Sequence, residues 1–350
     1  MKELHLYDVS SLVYSGNFSV TYADRKIGRF PISGILHLFR YLSVSLGDGH
    51  DVALIFDAKR SFRKDIDDGY KSGRDRVPEV LCQRKFLQDV LPKCGIACYS
   101  LDSYEADDIV SWYVDSNVGK YHNIVIYSND KDLAHNIQDG VILHGITSGS
   151  PTIFPANFIN SVVRGEKILY NTISAYKTFC GCSSDKIPAF RSENGITGKE
   201  LYQKYCDYLL SCGGNVTFNQ ARGFQCLAEF LINSNDLTEN DKDELAKRIN
   251  LVFPAFMPED APVLEKSAME DINRNLIGEL LSAMHDNGSL KCLDIMYHKP
   301  SEEFYKLINS YSDSLCNGEF SVDNDVPVIG ENQLLETESL DFEIMELNGF

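Results

Sequence analysis

No run of eighteen uncharged apolar residues occurs in this 350-residue chain, and its start, MKELHLYDVSSLVYSG, has neither a basic leading segment nor a long apolar stretch. The sequence therefore predicts a soluble, non-secreted, cytoplasmic chain without a membrane partner. The ten cysteines lack a second pair at zinc-finger spacing, the closest being Cys180/Cys182 and Cys94/Cys98. With no export signal they read as reduced thiols, mostly core filler, which argues against disulfides and structural zinc. Lys and Arg stop at Lys306, and beyond it stand ten acidic residues: Asp313, Glu319, Asp323, Asp325, Glu331, Glu336, Glu338, Asp341, Glu343 and Glu346. Internal repeats and low-complexity runs are absent too.

What is present is apolar material and uneven charge. Hydrophobic residues make up 43% of the chain and aromatics 11%, enough for one large core or two moderate ones. A net charge of −18 argues at first against a nucleic-acid partner. Taking the ten tail charges off leaves −8 for the body. The segment 59–85 runs the other way, with nine basic residues (Lys59, Arg60, Arg63, Lys64, Lys71, Arg74, Arg76, Arg84, Lys85) against five acidic ones.

Residues 4–9 (LHLYDV), 52–56 (VALIF), 96–99 (IACY) and 124–128 (IVIYS) are short, apolar and β-branched, the pattern of buried strands. Between them 32–46, 78–93 and 105–118 have helical spacing. This alternation predicts an α/β layer with a mainly parallel sheet flanked by helices over residues 1–154. From about 155 onward helical patterns dominate (PANFINSVV, NTISAYKTF, GKELYQKYCDYLL, FQCLAEFLI, NDKDELAKRINLV), so a helical region is expected over 155–307. The remainder, 308–350, has too few clustered apolar positions for a core and reads as a disordered acidic tail.

In parallel sheets ligands gather beyond the carboxyl ends of the strands. Asp8, Asp57 and Asp130 each fall just after a strand's apolar run. Tyr104-Glu105-Ala106-Asp107-Asp108 opens a helix, with Glu105 and Asp108 on one face and Asp107 in the same turn. Acids at a helix start also offset its macrodipole, and Ser128-Asn129-Asp130-Lys131-Asp132 also suits an N-cap with a polar turn. The conjunction outweighs either reading, because so many anions at one sheet edge repel strongly unless cations neutralise them. Mg²⁺, or Mn²⁺, suits all-carboxylate sites, and two such ions serve phosphodiester hydrolysis.

Phe56-Asp57-Ala58-Lys59, Ser61-Phe62-Arg63-Lys64, Gly69-Tyr70-Lys71-Ser72-Gly73-Arg74 and Pro78-Glu79 together resemble the "FDA…SFR…YKxxR…PE" stretch of the 5′-nuclease family. That family includes the 5′-nuclease domain of bacterial DNA polymerase I, phage 5′-to-3′ exonucleases and flap endonucleases. Residues 104–108 (YEADD) and 128–133 (SNDKDL) are similar to its next two motifs, in the same order, and the likeness runs over roughly residues 4–260. It implies a PIN-like fold followed by a helix-three-turn-helix at about 172–215. It implies Asp8, Asp57, Glu105, Asp107 and Asp108 as ligands of a first ion, direct or through water, and Asp130 and Asp132 as part of a second. A helical arch or gateway at 59–93 would bring Lys71 and Arg74 to the scissile phosphate, Arg63 and Lys64 to DNA, and Tyr70 to stack on a base. Gly195, Gly198 and Lys199 look like the family's "GIxxK" hairpin, whose backbone amides hold duplex phosphates. The implied substrates are 5′ flaps, nicked duplexes and RNA primers in RNA–DNA hybrids, cut by a monomer. The standalone form, without a polymerase domain, looks most like a phage protein working in the host cytoplasm.

The pattern also breaks. Where the family has a glycine followed by two aspartates three apart, this chain has Gly181-Cys182-Ser183-Ser184-Asp185-Lys186-Ile187-Pro188. Asp185 fits the second aspartate and Cys182 stands at the first. A thiol is a soft, poor ligand for Mg²⁺, so the expectation is a weakened second site of Asp130, Asp132 and Asp185, or one tuned to Mn²⁺. The longer approach through residues 190–194 argues against a bound K⁺ at the hairpin. Leu340, Phe342, Ile344, Met345, Leu347 and Phe350, set among acids, suit a docking segment for a sliding clamp or other replication protein, or plain solubilising disorder. Two other readings stay open: a catalytically weakened DNA-binding scaffold, which Cys182 supports, and a PIN-type ribonuclease, which would need neither the Tyr70-Lys71…Arg74 gateway nor the turn at 195–199.

Overall fold

The computed structural model describes residues 2–22, 24–73, 77–147, 152–153, 161–163, 166–168, 172–212, 220–258 and 266–320. Strand β1 (Leu4–Asp8) passes directly into α1 (Val9–Asn17), because Asp8 caps the helix by accepting the Ser11 backbone N–H at 3.1 Å. A small ribbon, β2 (Lys26–Ile27) against β3 (Phe30–Pro31), leads to α2 (Ser33–Gly47) and β4 (Asp51–Ile55). Next come α3 (Arg63–Ile66), α4 (Pro78–Val90), β5 (Cys98–Tyr99), α5 (Ala106–Asn117), β6 (Ile124–Tyr127) and β7 (Val141–His144). The strands pair in the order β5-β4-β1-β6-β7, all parallel.

This is the α/β layer expected from the alternating pattern. Beyond the short β2, β3 and α3, the elements not foreseen include α1 and β7. Helix α1 carries three serines and a glycine, poor helix formers, and is held by packing instead. Strand β7 is only four residues long and carries no signal beyond them.

Side chains alternate across the sheet. Leu4, Leu6, Ala53, Ile55, Ile124, Ile126 and Val141 meet α5 on one face. Tyr7, Val52, Leu54, Val125 and Tyr127 meet α1, α2 and α4 on the other. Helix α4 sends Val80, Cys82, Phe86, Leu87 and Val90 into this second layer, so the later half of the expected arch at 59–93 is a core helix. Arg74, the other half of the expected gateway pair, lies outside the described residues.

Beyond the sheet, β8 (Ser161–Val163) pairs antiparallel with β9 (Glu166–Ile168), so the helical pattern read over PANFINSVV is corrected to a strand at its end; 154–160 lie outside the described residues. The β-branched pair Val162-Val163 explains the difference. Helices α6 (Ile173–Cys180), α7 (Gly198–Ser211), α8 (Gln220–Asn233) and α9 (Glu239–Val252) share a separate core around Tyr176, Phe179, Tyr205, Phe230 and Leu245. Helices α10 (Arg274–Ala283), α11 (Asn287–Cys292) and α12 (Glu302–Cys316) then return to the sheet, where Ile277, Leu281, Leu290, Phe304 and Ile308 join the layer with α2 and α4. The boundaries expected at 155–307 and 308–350 are corrected accordingly. Residues 272–308 complete the sheet layer of α2 and α4 rather than extend the separate core of α6–α9, and a helix with buried Ile308 crosses the expected start of the tail. Its apolar positions are spaced for one helix face, a signal that the acidic composition masks. Residues 321–350, with the proposed docking segment, lie outside the described residues. Among the described residues no helix is long and apolar enough to cross a membrane.

The α1–α2 crossing depends on two glycines. A Cβ on Gly34 would lie 2.6 Å from both Val13 Cγ1 and Val13 O, and one on Gly16 would lie 2.8 Å from Gly34 Cα. Alanine at 34 would gain up to ~1 kcal/mol in helix propensity but force overpacking worth about 1–3 kcal/mol. Gly34→Ala is therefore expected to lower the thermal midpoint; an unchanged or higher midpoint in calorimetry would show that the crossing relaxes freely.

Candidate active site

Four chain segments deliver carboxylates to the carboxyl edge of the sheet, and each is fixed by a local reason. Asp8 is the last residue of β1, and besides capping α1 it accepts from Ser128 Oγ at 2.8 Å. Asp57 stands two residues beyond β4, accepting from the Ala106 backbone N–H at 2.9 Å and from Ser10 Oγ. Glu105 caps α5 in a capping box closed by Asp108, which accepts the Glu105 backbone N–H at 2.9 Å, and Asp107 lies in the same turn. Asp130 follows β6 and caps a 3₁₀ segment, Lys131–Asn136, by accepting from the Asp132 backbone N–H at 2.9 Å. The capping interpretation and the convergence of charge are thus both true of the same residues.

The charges are not equally compensated. Burial and the neighbouring Asp57 charge push the Asp8 carboxyl up to about 7. Desolvation at the crowded rim and the Asp132 charge raise Asp130 to about 6, although its side chain still meets water. For Asp57, burial works in the same upward direction, but the Arg84 guanidinium at 3.8 Å and the hydrogen bonds from Ser10 and Ala106 hold its carboxyl below the usual range. Glu105 and Asp108 are raised by burial and by Asp107.

Cations occupy part of this edge. Lys71 Nζ lies 2.8 Å from Glu105 Oε1, and Tyr70 OH donates to Glu105 Oε2 at 3.0 Å. Arg63 donates to Asp108 through both terminal nitrogens, at 2.8 and 2.7 Å, and to Glu105 Oε2 at 3.1 Å. Two expectations change here. Arg63 is 1% exposed and Tyr70 is 5% exposed, so neither presents its side chain to DNA; both act inward on α5. Their flanking basic residues disguised this in the sequence. Asp108 is itself fully committed, because the Ala255 backbone N–H also reaches its Oδ1 at 2.7 Å. It serves as the buried anchor for Arg63, whereas Asp107 remains at the edge. Lys64 stays half-buried beside Arg63.

The other half of the set is arranged differently. Asp132 forms an ion pair with Lys177, whose Nζ is also 3.6 Å from Asp185 Oδ2. Cys182 Sγ donates to Asp185 Oδ2 at 2.9 Å, and the Cys182 backbone bridges that of Ile187. The thiol sits in a small apolar cluster with Tyr70, Ile187 and Leu251. Although burial disfavours its charge, Asp132 and Asp185 hold the Lys177 ammonium well above the ordinary lysine range. Sequence reasoning missed Lys177; its only signal was a single charge in an otherwise uncharged helix, ISAYKTFC. It also missed Ser10, Ser128 and the pairing of Arg84 with Asp57.

Further along, α6 and α7 are joined by a turn in which Gly195 adopts φ +88° and lies exposed, while Gly198 packs so closely that a Cβ would lie 1.8 Å from Phe179 O. The Gly198 N–H donates to Phe190 O at 2.8 Å, and Lys199 is exposed at the start of α7.

Residues 3–161 match the family model of the 5′-3′ exonuclease, N-terminal resolvase-like domain. A 5′-3′ exonuclease from Aquifex aeolicus is 26% identical over 209 residues, 59% of this chain and 70% of that protein. A DNA polymerase I from Rhizobium leguminosarum is 25% identical over 215 residues, 58% of this chain but 21% of the polymerase, so the chain spans a small part of that relative. Among solved structures, a T5 protein co-crystallised with metal ions aligns with a TM-score of 0.48 at 16% identity, over 89% of this chain and 99% of that one. The stretch 3–161, with its parallel sheet flanked by helices, is thus similar in sequence to the 5′-3′ exonuclease N-terminal, resolvase-like domain. Its relatives include both standalone 5′-3′ exonucleases and DNA polymerase I.

Removing Arg63 would strand Asp108 as a buried charge, while Glu105 keeps Lys71 and Tyr70, a loss of about 3–5 kcal/mol. Arg63→Ala should show this in urea unfolding; a loss below ~1 kcal/mol would mean that the pair is solvated rather than buried.

Proposed function

We propose that the protein is a divalent-metal-dependent 5′-nuclease. In this reading it works as a 5′-to-3′ exonuclease and structure-specific flap endonuclease on DNA, and on RNA primers in RNA–DNA hybrids, during replication or repair. The observation that carries the reading is the convergence of Asp8, Asp57, Glu105, Asp107 and Asp130 from four chain segments at one sheet edge. Burial and Asp57 push Asp8 up, desolvation and Asp132 push up Asp130 at the exposed rim, and a cation would relieve both.

The donors around Asp8, Asp57, Glu105, Asp107 and Asp130 are all oxygens, a set that fits Mg²⁺ or Mn²⁺. No three of these carboxylates place an oxygen each within 4.8 Å of one another, so an ion held among them keeps several waters. When bound, such an ion lowers the pKa of an attacking water and stabilises charge on the phosphoryl oxygens. The chain's own groups orient the ligands: Ser128 holds Asp8, while Ser10 and the α5 amide of Ala106 hold Asp57. Lys71 is the ammonium placed to meet a phosphate once it exchanges Glu105 for it. The turn at 195–199 would meet duplex phosphates through the exposed Lys199 rather than through its amides, because the N–H groups of Gly195, Ile196, Thr197 and Gly198 already donate to Ser192 O, Ser192 Oγ, Glu200 Oε2 and Phe190 O.

Asp130, Asp132 and Asp185 fit a second ion less well, because an ammonium already lies between Asp132 and Asp185 and the Cys182 thiol donates to Asp185. We therefore assign no step to a second ion. This same observation supports the alternative reading of a weakened enzyme that keeps its grip on DNA.

Cleavage of a 5′ flap, a nicked duplex and an RNA–DNA hybrid, each with Mg²⁺ or Mn²⁺, tests the reading directly. Asp107→Ala should reduce cleavage on the order of 10²-fold or more; equal cleavage by the variant, or none by the wild type, overturns the enzyme. Cys182→Asp should raise Mg²⁺-dependent cleavage. A folded variant with unchanged rate and metal dependence would show that the cysteine does not limit the second half of the site.

A further inference from the structure

The tightest potential ligand set among the described residues lies at the opposite end of the sheet from the carboxylate edge. Glu3 immediately precedes β1, His5 is on β1, and His50 immediately precedes β4; the Asp51 N–H donates to Glu3 O at 3.0 Å and fixes the neighbouring strand starts together. Each residue offers one ligand atom within 4.8 Å of the other two. Glu3 Oε2 is 3.1 Å from His5 Nε2 and 3.8 Å from His50 Nε2, and the two rings lie 4.6 Å apart between centroids. Ligands about 2.0–2.1 Å from one tetrahedral ion stand about 3.4 Å from each other. The spacing therefore suits one shared ion.

We propose that Glu3, His5 and His50 form a binding site for Zn²⁺ or a similar borderline divalent cation, separate from the carboxylate edge, which clamps the amino ends of β1 and β4. Two imidazoles and one carboxylate, with a fourth position for water, are a donor set that zinc takes readily and Mg²⁺ does not. The atoms behind the ligands are held as well. His5 Nδ1 contacts Ser45 Oγ at 2.6 Å; Ser45 Oγ itself donates to Tyr41 O at 3.2 Å, so it can accept from Nδ1–H and leave Nε2 unprotonated. Asn123 Nδ2 donates to Glu3 Oε1 at 2.6 Å, which leaves Oε2 for the ion. Lys2 is engaged by Asp51 at 2.7 Å and does not neutralise Glu3.

Loading carries one structural cost. His50 Nδ1 now accepts the Glu3 backbone N–H at 3.3 Å, and ligation through Nε2 moves the ring proton to Nδ1 and gives up that long hydrogen bond. Access is open, since Glu3 and His50 are half-buried while His5 is buried behind them.

The test is zinc binding to the metal-stripped full chain by calorimetry, in a large excess of Mg²⁺ to fill the carboxylate edge, with Co²⁺ absorbance as a geometric readout. Wild type should bind one more Zn²⁺ than His50→Ala, show a tetrahedral Co²⁺ spectrum that His50→Ala lacks, and gain thermal midpoint with zinc as His50→Ala does not. Surface cysteines are common to both proteins and cancel in the comparison. Glu3→Gln provides a second variant if His50→Ala unfolds, and should weaken zinc at least tenfold. Equal zinc stoichiometry and affinity in wild type and in the folded variants, or zinc fully displaced by Mg²⁺, overturns the proposal.

Discussion

One buried guanidinium organises the molecule around its chemistry. Arg63 reaches from α3 to Glu105 and Asp108 at the start of α5 and to Phe253 O just past α9, and Ala255 closes the same knot on Asp108. Three distant parts of the chain meet on that ion pair. A buried pair contributes little net stability by itself, because desolvation offsets the attraction. Its value here is specificity: with both oxygens of Asp108 held, the first turn of α5 has one position. Glu105 and Asp107 are thereby aimed at the sheet edge, and the helical region is held against it.

The edge that results is divided by its own counter-charges. Arg63, Tyr70 and Lys71 absorb much of the Glu105 and Asp108 charge, and Arg84 offsets part of Asp57. Asp8 and Asp130 receive only hydroxyl and amide hydrogen bonds, and desolvation with a neighbouring carboxylate pushes them up to about 7 and about 6. Across the site Lys177 fills the space between Asp132 and Asp185 with a permanent charge. The demand for an external ion is therefore concentrated on the Asp8 side, whereas the Asp185 side is already partly satisfied by the chain.

Much of this was legible because strand-end carboxylates come directly after apolar runs, and a run such as IVIYSND declares both its strand and the acid at its end. Asp8, Asp57 and Asp130 were readable in that way, and Asp107 from the cluster of acids that opens α5. The inward roles of Arg63 and Tyr70 were not, since a basic cluster gives no sign of which member is swallowed by the fold; that depends on Asp108 lying across a contact 45 residues away. The return of α10–α12 to the sheet was hidden for a similar reason. Helical spacing reveals that a helix has an apolar face, but not which of two cores receives it.

Cys182 shows how a departure from a family pattern changes meaning once packing is known. In sequence it is a missing ligand. In the structure its backbone bridges Ile187, its side chain fills an apolar cluster with Tyr70 and Leu251, and its thiol donates to Asp185. A carboxylate there would have to leave that cluster or bring charge into it, at a cost that Lys177 alone could offset. The thiol and the ammonium are thus two parts of one arrangement: the first removes a negative charge from this side of the site, and the second balances two of those that remain.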